Sequence, residues 1–297
     1  MLDVLRAEKK IKFCIIIPSR NRPAQVETAL RHYSSEEFSD VVILLQDNSD
    51  VKYTFDGNVL KLLEGRFEHR KSTSILSMDE NWNQAYFEAL RLNCDFYLLT
   101  TDKVILKSGF ISYLRSVIRD YDCDAFEWMA KPTKRYQIQP FLTPVSLAVH
   151  MYEPVSMVNA FLREGWFGFE GAPLGHCTCI SAELLRSVFS QFGRACWPGN
   201  PDYTFAYLAL SVRGSFKYGY TLINGSEILM GGDNRSIGNG ASYVQNGLDK
   251  TGEWFTLSAR QSAKLFEGER VWPPFPKQLR GSVWSIILSD WMCLARQ

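Results

Sequence analysis

Residues 13–22 read FCIIIPSRNR. The unbroken apolar run at 13–17 is expected of a strand buried on both faces. Pro18, Ser19, Arg20, Asn21 and Arg22 then make a polar turn, and Pro23 opens a helix. Val26, Ala29, Leu30 and Tyr33 recur on one face of that helix. A buried strand, a polar turn and an amphipathic helix form one step of a layered α/β sheet.

The same grammar continues along the chain. Residues 41–45, VVILL, run into Gln46, Asp47, Asn48 and Ser49, and residues 96–99, FYLL, run into Thr100, Thr101, Asp102 and Lys103. A helix follows with Phe110, Tyr113, Leu114, Val117 and Ile118 inward. Between them, residues 60–63 read as a short third strand. Trp82, Ala85, Tyr86, Ala89 and Leu90 predict a helix over 81–91. Beyond about residue 125 the pattern loosens. Residues 126–129 and 177–180 read as strands, and Ser181 caps a helix bearing Leu184, Leu185, Val188 and Phe189. Pro201 and Asp202 precede a helix with Phe205, Leu208 and Val212 inward, and the Gly- and Asn-rich residues 231–240 read as a loop. Residues 282–294 form an amphipathic helix with Trp284, Ile287, Leu288 and Trp291 on one side. Such a helix suits the body of the protein, a homo-oligomer interface or a membrane surface.

Composition narrows the class. A length of 297 residues suits one large α/β domain or two joined halves. A formal charge of +1 argues against a strongly basic nucleic-acid binder. The seven cysteines are odd in number, irregularly spaced and without a CxxC pair, which predicts reduced, mostly buried thiols in a cytoplasmic protein. His176, Cys177 and Cys179 raise the thought of zinc, but no second ligand pair has metal spacing, and a partly buried strand is the simpler reading. The opening MLDVLRAEKKIKF lacks the apolar run of a signal peptide, and no segment is apolar for long enough to span a membrane as a helix.

In open α/β sheets, ligands bind beyond the carboxyl ends of the strands. The clusters at residues 18–22, 47–49 and 100–103 fall at three such ends, so they read either as a nucleotide cradle or as ordinary turns. Four blocks decide between these readings: CIIIPSRNRPAQVETALRHY (14–33), VVILLQDNSD (41–50), SILSMDENWNQAYFEAL (74–90) and DFYLLTTDKVIL (95–106). In order and spacing they resemble family-two nucleotide-sugar glycosyltransferases, and HCTCISAELL (176–185) and NPDYTFAYLAL (200–210) extend the resemblance more weakly. It implies a GT-A fold: a layered α/β/α sheet with a Rossmann-like nucleotide-sugar-binding half over 1–125, an acceptor-side catalytic half over 126–245 and a helical extension over 246–297.

What the resemblance implies can be placed residue by residue. Pro18, Ser19 and Asn21 match the turn that contacts base and ribose, with Arg20 and Arg22 adding charge near a diphosphate. Asp47 matches the carboxylate that reads the base, and Asn81 an asparagine that opens a helix at the donor site. The family's usual aspartate motif for Mn²⁺ or Mg²⁺ is thinned to Asp102, flanked by Thr101 and Lys103. Asp102 remains the candidate metal ligand, and a divalent cation is doubtful. Lys103 is either a neutraliser of the leaving diphosphate or a solvated surface lysine. Asp202 matches the catalytic base, though a helix-start carboxylate also has a dipole reason to be there. Arg235 lies in the loop that closes over the donor. His176 and Trp166 are acceptor-side candidates, and Trp128, Trp166, Phe167 and Phe169 suggest an aromatic floor or a core.

The implied reaction is transfer of a sugar, commonly from a UDP-sugar, to an acceptor hydroxyl with inversion. A glycan or a lipid-linked precursor is the expected acceptor, and a nucleic acid is disfavoured by the near-neutral charge. The matching expectation is a cytoplasmic enzyme, free or peripheral to a membrane. The alternative is a non-catalytic nucleotide-sugar-binding module with a degenerate metal motif.

Overall fold

A computed structural model of the chain describes residues 10–133, 149–157, 173–197 and 201–229. In chain order the elements begin β1 (Phe13–Ser19), α1 (Pro23–Tyr33), β2 (Val42–Asp47), α2 (Gly57–Leu62), β3 (Phe67–Lys71), α3 (Met78–Leu90) and β4 (Phe96–Leu99). They continue with β5 (Val104–Leu106), α4 (Phe110–Tyr121), β6 (Ala125–Thr133), β7 (His150–Tyr152) and β8 (Thr178–Ser181). The last are α5 (Ala182–Phe192), α6 (Pro201–Ser211) and β9 (Tyr218–Leu229). The strands form one sheet in the order β3-β2-β1-β4-β8-β6-β9-β5, with β7 paired to β9. The first four are parallel, whereas β8 runs antiparallel to both β4 and β6.

The apolar run of β1 is buried throughout because both of its faces are covered. Phe13, Ile15 and Ile17 join Val26, Leu30 and Tyr33 of α1 and Phe110 and Leu114 of α4 in one core layer. Cys14 and Ile16 join Trp82, Tyr86, Leu184 and Phe205, from α3, α5 and α6, in the other. Each isoleucine so buried contributes about 1.5–3 kcal/mol. The chain winds β1 to β3 outward in one direction, then returns through α3 on the opposite face to place β4 on the other side of β1. The gap between β1 and β4 is therefore a topological switch point, where the strand ends leave a crevice.

Two expectations change, and one open alternative is decided. Residues 60–63 belong to the end of helix α2, not to a strand. Asp56 caps that helix by accepting from Asn58 N–H at 2.8 Å, and Val59 and Leu63, four apart, are buried while Leu62 is exposed. The third strand is instead 67–71, FEHRK, a half-buried strand at the sheet edge with no apolar run to announce it. Helix α3 starts at Met78 rather than 81: Ser77 accepts from Glu80 N–H at 3.4 Å, so Asn81 lies inside the first turns. The S-x-x-E spacing at 77–80 was the signal for it. Trp128 is core rather than a sugar-stacking floor, because its ring packs 4.9 Å from Phe110 and its Nε1–H donates to Ser226 at 2.6 Å. Trp166, Phe167, Phe169, the 231–240 loop, and the 246–297 extension with its helix lie outside the described residues.

The expected helix cap and buried thiols are present. Ser181 caps α5 by accepting from Leu184 N–H at 3.2 Å, and Gly193 ends that helix at φ 72°. Cys14, Cys94, Cys123, Cys177, Cys179 and Cys196 are free and buried. Among the described residues no helix is long and apolar enough to cross a membrane.

The start of α3 carries a titratable group with a measurable consequence. Burial pushes the Asp79 carboxyl up to about 6, against the opposing hydrogen bond with Ser77. The native state then holds this proton more tightly than the unfolded chain does. The resulting stability is complete below the unfolded value near 4 and is lost as pH rises through about 6. Asp79→Asn is expected to remove a fall of roughly 2–3 kcal/mol between about pH 4 and pH 7.5. Urea unfolding at both pH values measures it. An unchanged pH slope in the variant would show that Asp79 keeps its charge without cost.

Candidate active site

The parallel register brings the strand ends together. Ser19 of β1 sits opposite Asp47 of β2, and Asp47 opposite Lys71 of β3. Across the switch point, Ser19 Oγ donates to Asp102 Oδ2 at 2.7 Å, and Arg22 Nη1 donates to Asp102 Oδ1 at 2.9 Å. Asp102 is fully buried, while the Arg22 side chain is 26% exposed. Tyr53 closes the circuit. Its hydroxyl lies 3.1 Å from Ser19 Oγ and accepts from Arg22 N–H at 2.7 Å. Ser19 has one proton, given to Asp102, so the Tyr53 O–H donates to Ser19. The chain of donors thus runs from Arg22 N–H through Tyr53 and Ser19 to the carboxylate, a directional arrangement in which each bond polarises the next.

The neighbouring turn is held as firmly. Asn21 takes a left-handed φ of 56°. Its N–H donates to Ser49 Oγ at 2.8 Å, and its side chain exchanges two hydrogen bonds with Asp50. Arg20 faces Asp50 at 3.8 Å. Asp47 is wholly buried and accepts from Ser49 N–H at 2.8 Å, from Tyr53 N–H at 3.4 Å and, at 3.1 Å, from His69 Nε2. Burial pushes this carboxyl up, but the hydrogen bonds from Ser49, His69 and Tyr53 outweigh it and hold Asp47 below the usual carboxylate range. Lys71 Nζ donates to Ser49 O. Gln46 reaches Ser72 and Gln84, which ties α3 to the end of β2.

A second group stands at the same edge of the sheet. In the antiparallel pairing of β4 with β8, Leu99 lies opposite Thr178, so the residues before β8 adjoin those after β4. There His176 Nδ1 lies 3.8 Å from Asp202 Oδ2, with the side chains 35% and 22% exposed. Pro201 and Asp202 form the first turn of α6, and Gly175 N–H donates to Asp202 O at 3.2 Å. Gly175 is required for this approach: a Cβ there would meet the Trp82 ring at 2.4 Å and the Asp202 Cα at 3.1 Å. Burial raises the Asp202 carboxyl, while the His176 charge and the Tyr203 N–H pull it back. Asn83 braces the same region from α3, accepting from Ala195 and Cys196 N–H at 2.8 Å each.

The structure thus gathers Ser19, Arg22 and Asp102 in one network and joins Arg20, Asn21 and Asp47 to it through the adjoining turn. Pro18 lies buried in β1 beside Gln46. Thr101 accepts from Lys103 N–H at 3.2 Å, and Lys103 is buried rather than a solvated surface lysine. Asn81 is buried in α3, its N–H donating to Ser77 O. His176 and Asp202 meet as a pair. Arg235 and Trp166 lie outside the described residues. Tyr53, His69, Lys71 and Gln84 were not singled out in the sequence, and the misplaced third strand hid His69 and Lys71 in particular.

Among the described residues, those at this site do not fit a protein-held divalent ion. Among the described residues no three of His, Cys, Asp and Glu cluster in a way that holds a metal. Both oxygens of Asp102 are already engaged, one of them by a guanidinium. Hard cations of this kind need several oxygen ligands.

No family model and no curated protein matches the sequence. Among solved structures the chain is similar to residues 1–349 of S. aureus TarS in complex with UDP-GlcNAc. The identity is 10% over 88% of this chain and 74% of that one, with a TM-score of 0.53. The chain spans 44% of S. aureus TarS itself, at 11% identity over 88% of this chain and a TM-score of 0.48. It also aligns with the mannosyltransferase PcManGT from Pyrobaculum calidifontis in complex with GDP-Man and Mn²⁺. There the identity is 13%, the coverage 95% of this chain and 69% of that one, and the TM-score 0.45. At such identities the likeness to TarS is one of fold, and the chain has a GT-A-like layered α/β fold.

Proposed function

We propose that this protein is a glycosyltransferase that moves a sugar from a nucleotide diphosphate donor to an acceptor hydroxyl with inversion. The observation that carries the reading is the pair of polar constellations at one sheet edge. The Arg22–Asp102–Ser19–Tyr53 ring spans the switch point, and His176–Asp202 stands beside it. Nucleotides bind at switch points of open α/β sheets, and the fold is the one on which TarS binds UDP-GlcNAc. The turn 19–22 and the turn held by Asp47 receive base, ribose and diphosphate. Asp202 takes the acceptor's proton as its oxygen attacks the anomeric carbon from the face opposite the leaving diphosphate, and His176 lies within reach to orient that carboxylate. A raised carboxyl is the stronger base, which suits the task.

A non-catalytic nucleotide-sugar-binding module is the second reading, favoured by the engagement of Asp102 with Arg22 and Ser19. A panel of UDP-, GDP- and dTDP-sugars tests both. We expect one donor to raise the Tm and to release its nucleoside diphosphate by slow hydrolysis, faster with a glycan or lipid-linked acceptor. Binding without release across acceptors favours the module. No shift with any donor removes the nucleotide-sugar reading.

A further inference from the structure

We infer that Arg22, clamped on Asp102, is the cation that meets the donor's diphosphate, standing where a divalent ion would otherwise sit on that carboxylate. This rests on the nucleotide-sugar reading and adds to it the identity of the diphosphate-binding group. Asp102 is a fully buried anion at the switch point, and the Arg22 Nη1–Oδ1 bond of 2.9 Å supplies its counter-charge. The other oxygen takes the Ser19 proton at 2.7 Å. An ion seated on Asp102 would place its double charge beside the guanidinium already bonded to the same carboxylate. The ring through Tyr53 opposes this, since Arg22 is fixed at both ends: by its own N–H on the Tyr53 hydroxyl and by its side chain on the carboxylate.

The other nearby cations are placed differently. Lys71 donates to the Ser49 carbonyl, Arg20 lies 3.8 Å from Asp50, and Lys103 is buried. Of these four, Arg22 is bonded to Asp102 and remains one-quarter exposed at the crevice. A guanidinium offers several N–H groups in a rigid plane that matches phosphate oxygens. Asp102 holds the guanidinium and Tyr53 the backbone of Arg22 before the ligand arrives, which lowers the ordering cost of binding. The neutralised pair has no net charge, so its contribution is oriented hydrogen bonding rather than long-range attraction.

Calorimetry on the full chain with UDP, GDP and dTDP as probes tests this, in EDTA and again in Mn²⁺. The wild type is expected to bind one probe in EDTA, with Mn²⁺ changing the affinity by less than about 3-fold. Arg22→Gln should weaken that probe by at least about 10-fold, equivalent to one charge-assisted hydrogen bond. Because Arg22→Gln leaves a buried carboxylate without its partner, the double variant Arg22→Gln/Asp102→Asn removes both charges. Its cooperative unfolding confirms the fold, and it should lose affinity to the same extent. The inference is overturned if EDTA abolishes wild-type binding and Mn²⁺ restores it, or if the folded double variant binds as the wild type does. If no probe binds the wild type in either buffer, the nucleotide-sugar reading itself fails and takes this inference with it.

Discussion

Asp202→Asn is expected to lower kcat for sugar transfer by at least about 10²-fold, the usual scale of general-base assistance, while donor affinity stays within a few-fold of wild type. The substitution keeps the shape of the side chain and its place at the start of α6, where Gly175 N–H holds the backbone. It removes only the ability to take a proton. A sugar hydroxyl is a weak nucleophile near neutral pH, so the lost interaction belongs to the transition state. The acid limb of the rate profile provides a second readout. Burial raises the Asp202 carboxyl, so activity in the wild type should appear at a higher pH than an ordinary aspartate would allow. Steady-state kinetics with a true acceptor across pH measure both. A kcat within a few-fold of wild type would leave Asp202 as a helix-start carboxylate. His176 is then the next residue to test, followed by Glu170 and Asp233, which lie outside the described residues.

Asp47→Ala is expected to weaken donor binding by roughly 1–3 kcal/mol and to destabilise the fold by a similar amount. The carboxylate accepts from Ser49 N–H and Tyr53 N–H in the segment after β2 and from His69 of β3. Its loss leaves those donors facing an apolar methyl. The damage should spread to the donor site through Tyr53, whose hydroxyl receives Arg22 N–H and lies against Ser19. The pH dependence follows from the same bonds. The native carboxyl is depressed, so its stabilisation is present above the unfolded value near 4 and disappears as pH falls through the lower native value. Calorimetry with UDP, GDP and dTDP, alongside urea unfolding, separates the two effects. Unchanged affinity for the preferred nucleotide would remove Asp47 from the donor site.

The resemblance placed Asp47 and Asp202 correctly on their elements but said nothing of their partners. Asp47 proves to be a buried organiser of its turn, with its oxygens taken by Ser49, Tyr53 and His69. Asp102 was legible as a lone carboxylate after a buried strand. That its partner is Arg22, 80 positions earlier, was not.

The sequence by itself determined the layered α/β class, the parallel strands β1, β2 and β4, the inward faces of α1, α4 and α5, and the polar character of three strand ends. Continuous apolar runs need cover on both faces, and helical spacing and caps are written within a single turn of chain, so short windows carry this information. Only the tertiary structure decided that 67–71 is the third strand, that Trp128 is core, and which charges meet. An edge strand buries too little to need an apolar run. The two constellations depend on strand order: Arg22 finds Asp102 because β4 lies beside β1, and His176 finds Asp202 because Gly175 lets α6 approach the chain ahead of β8.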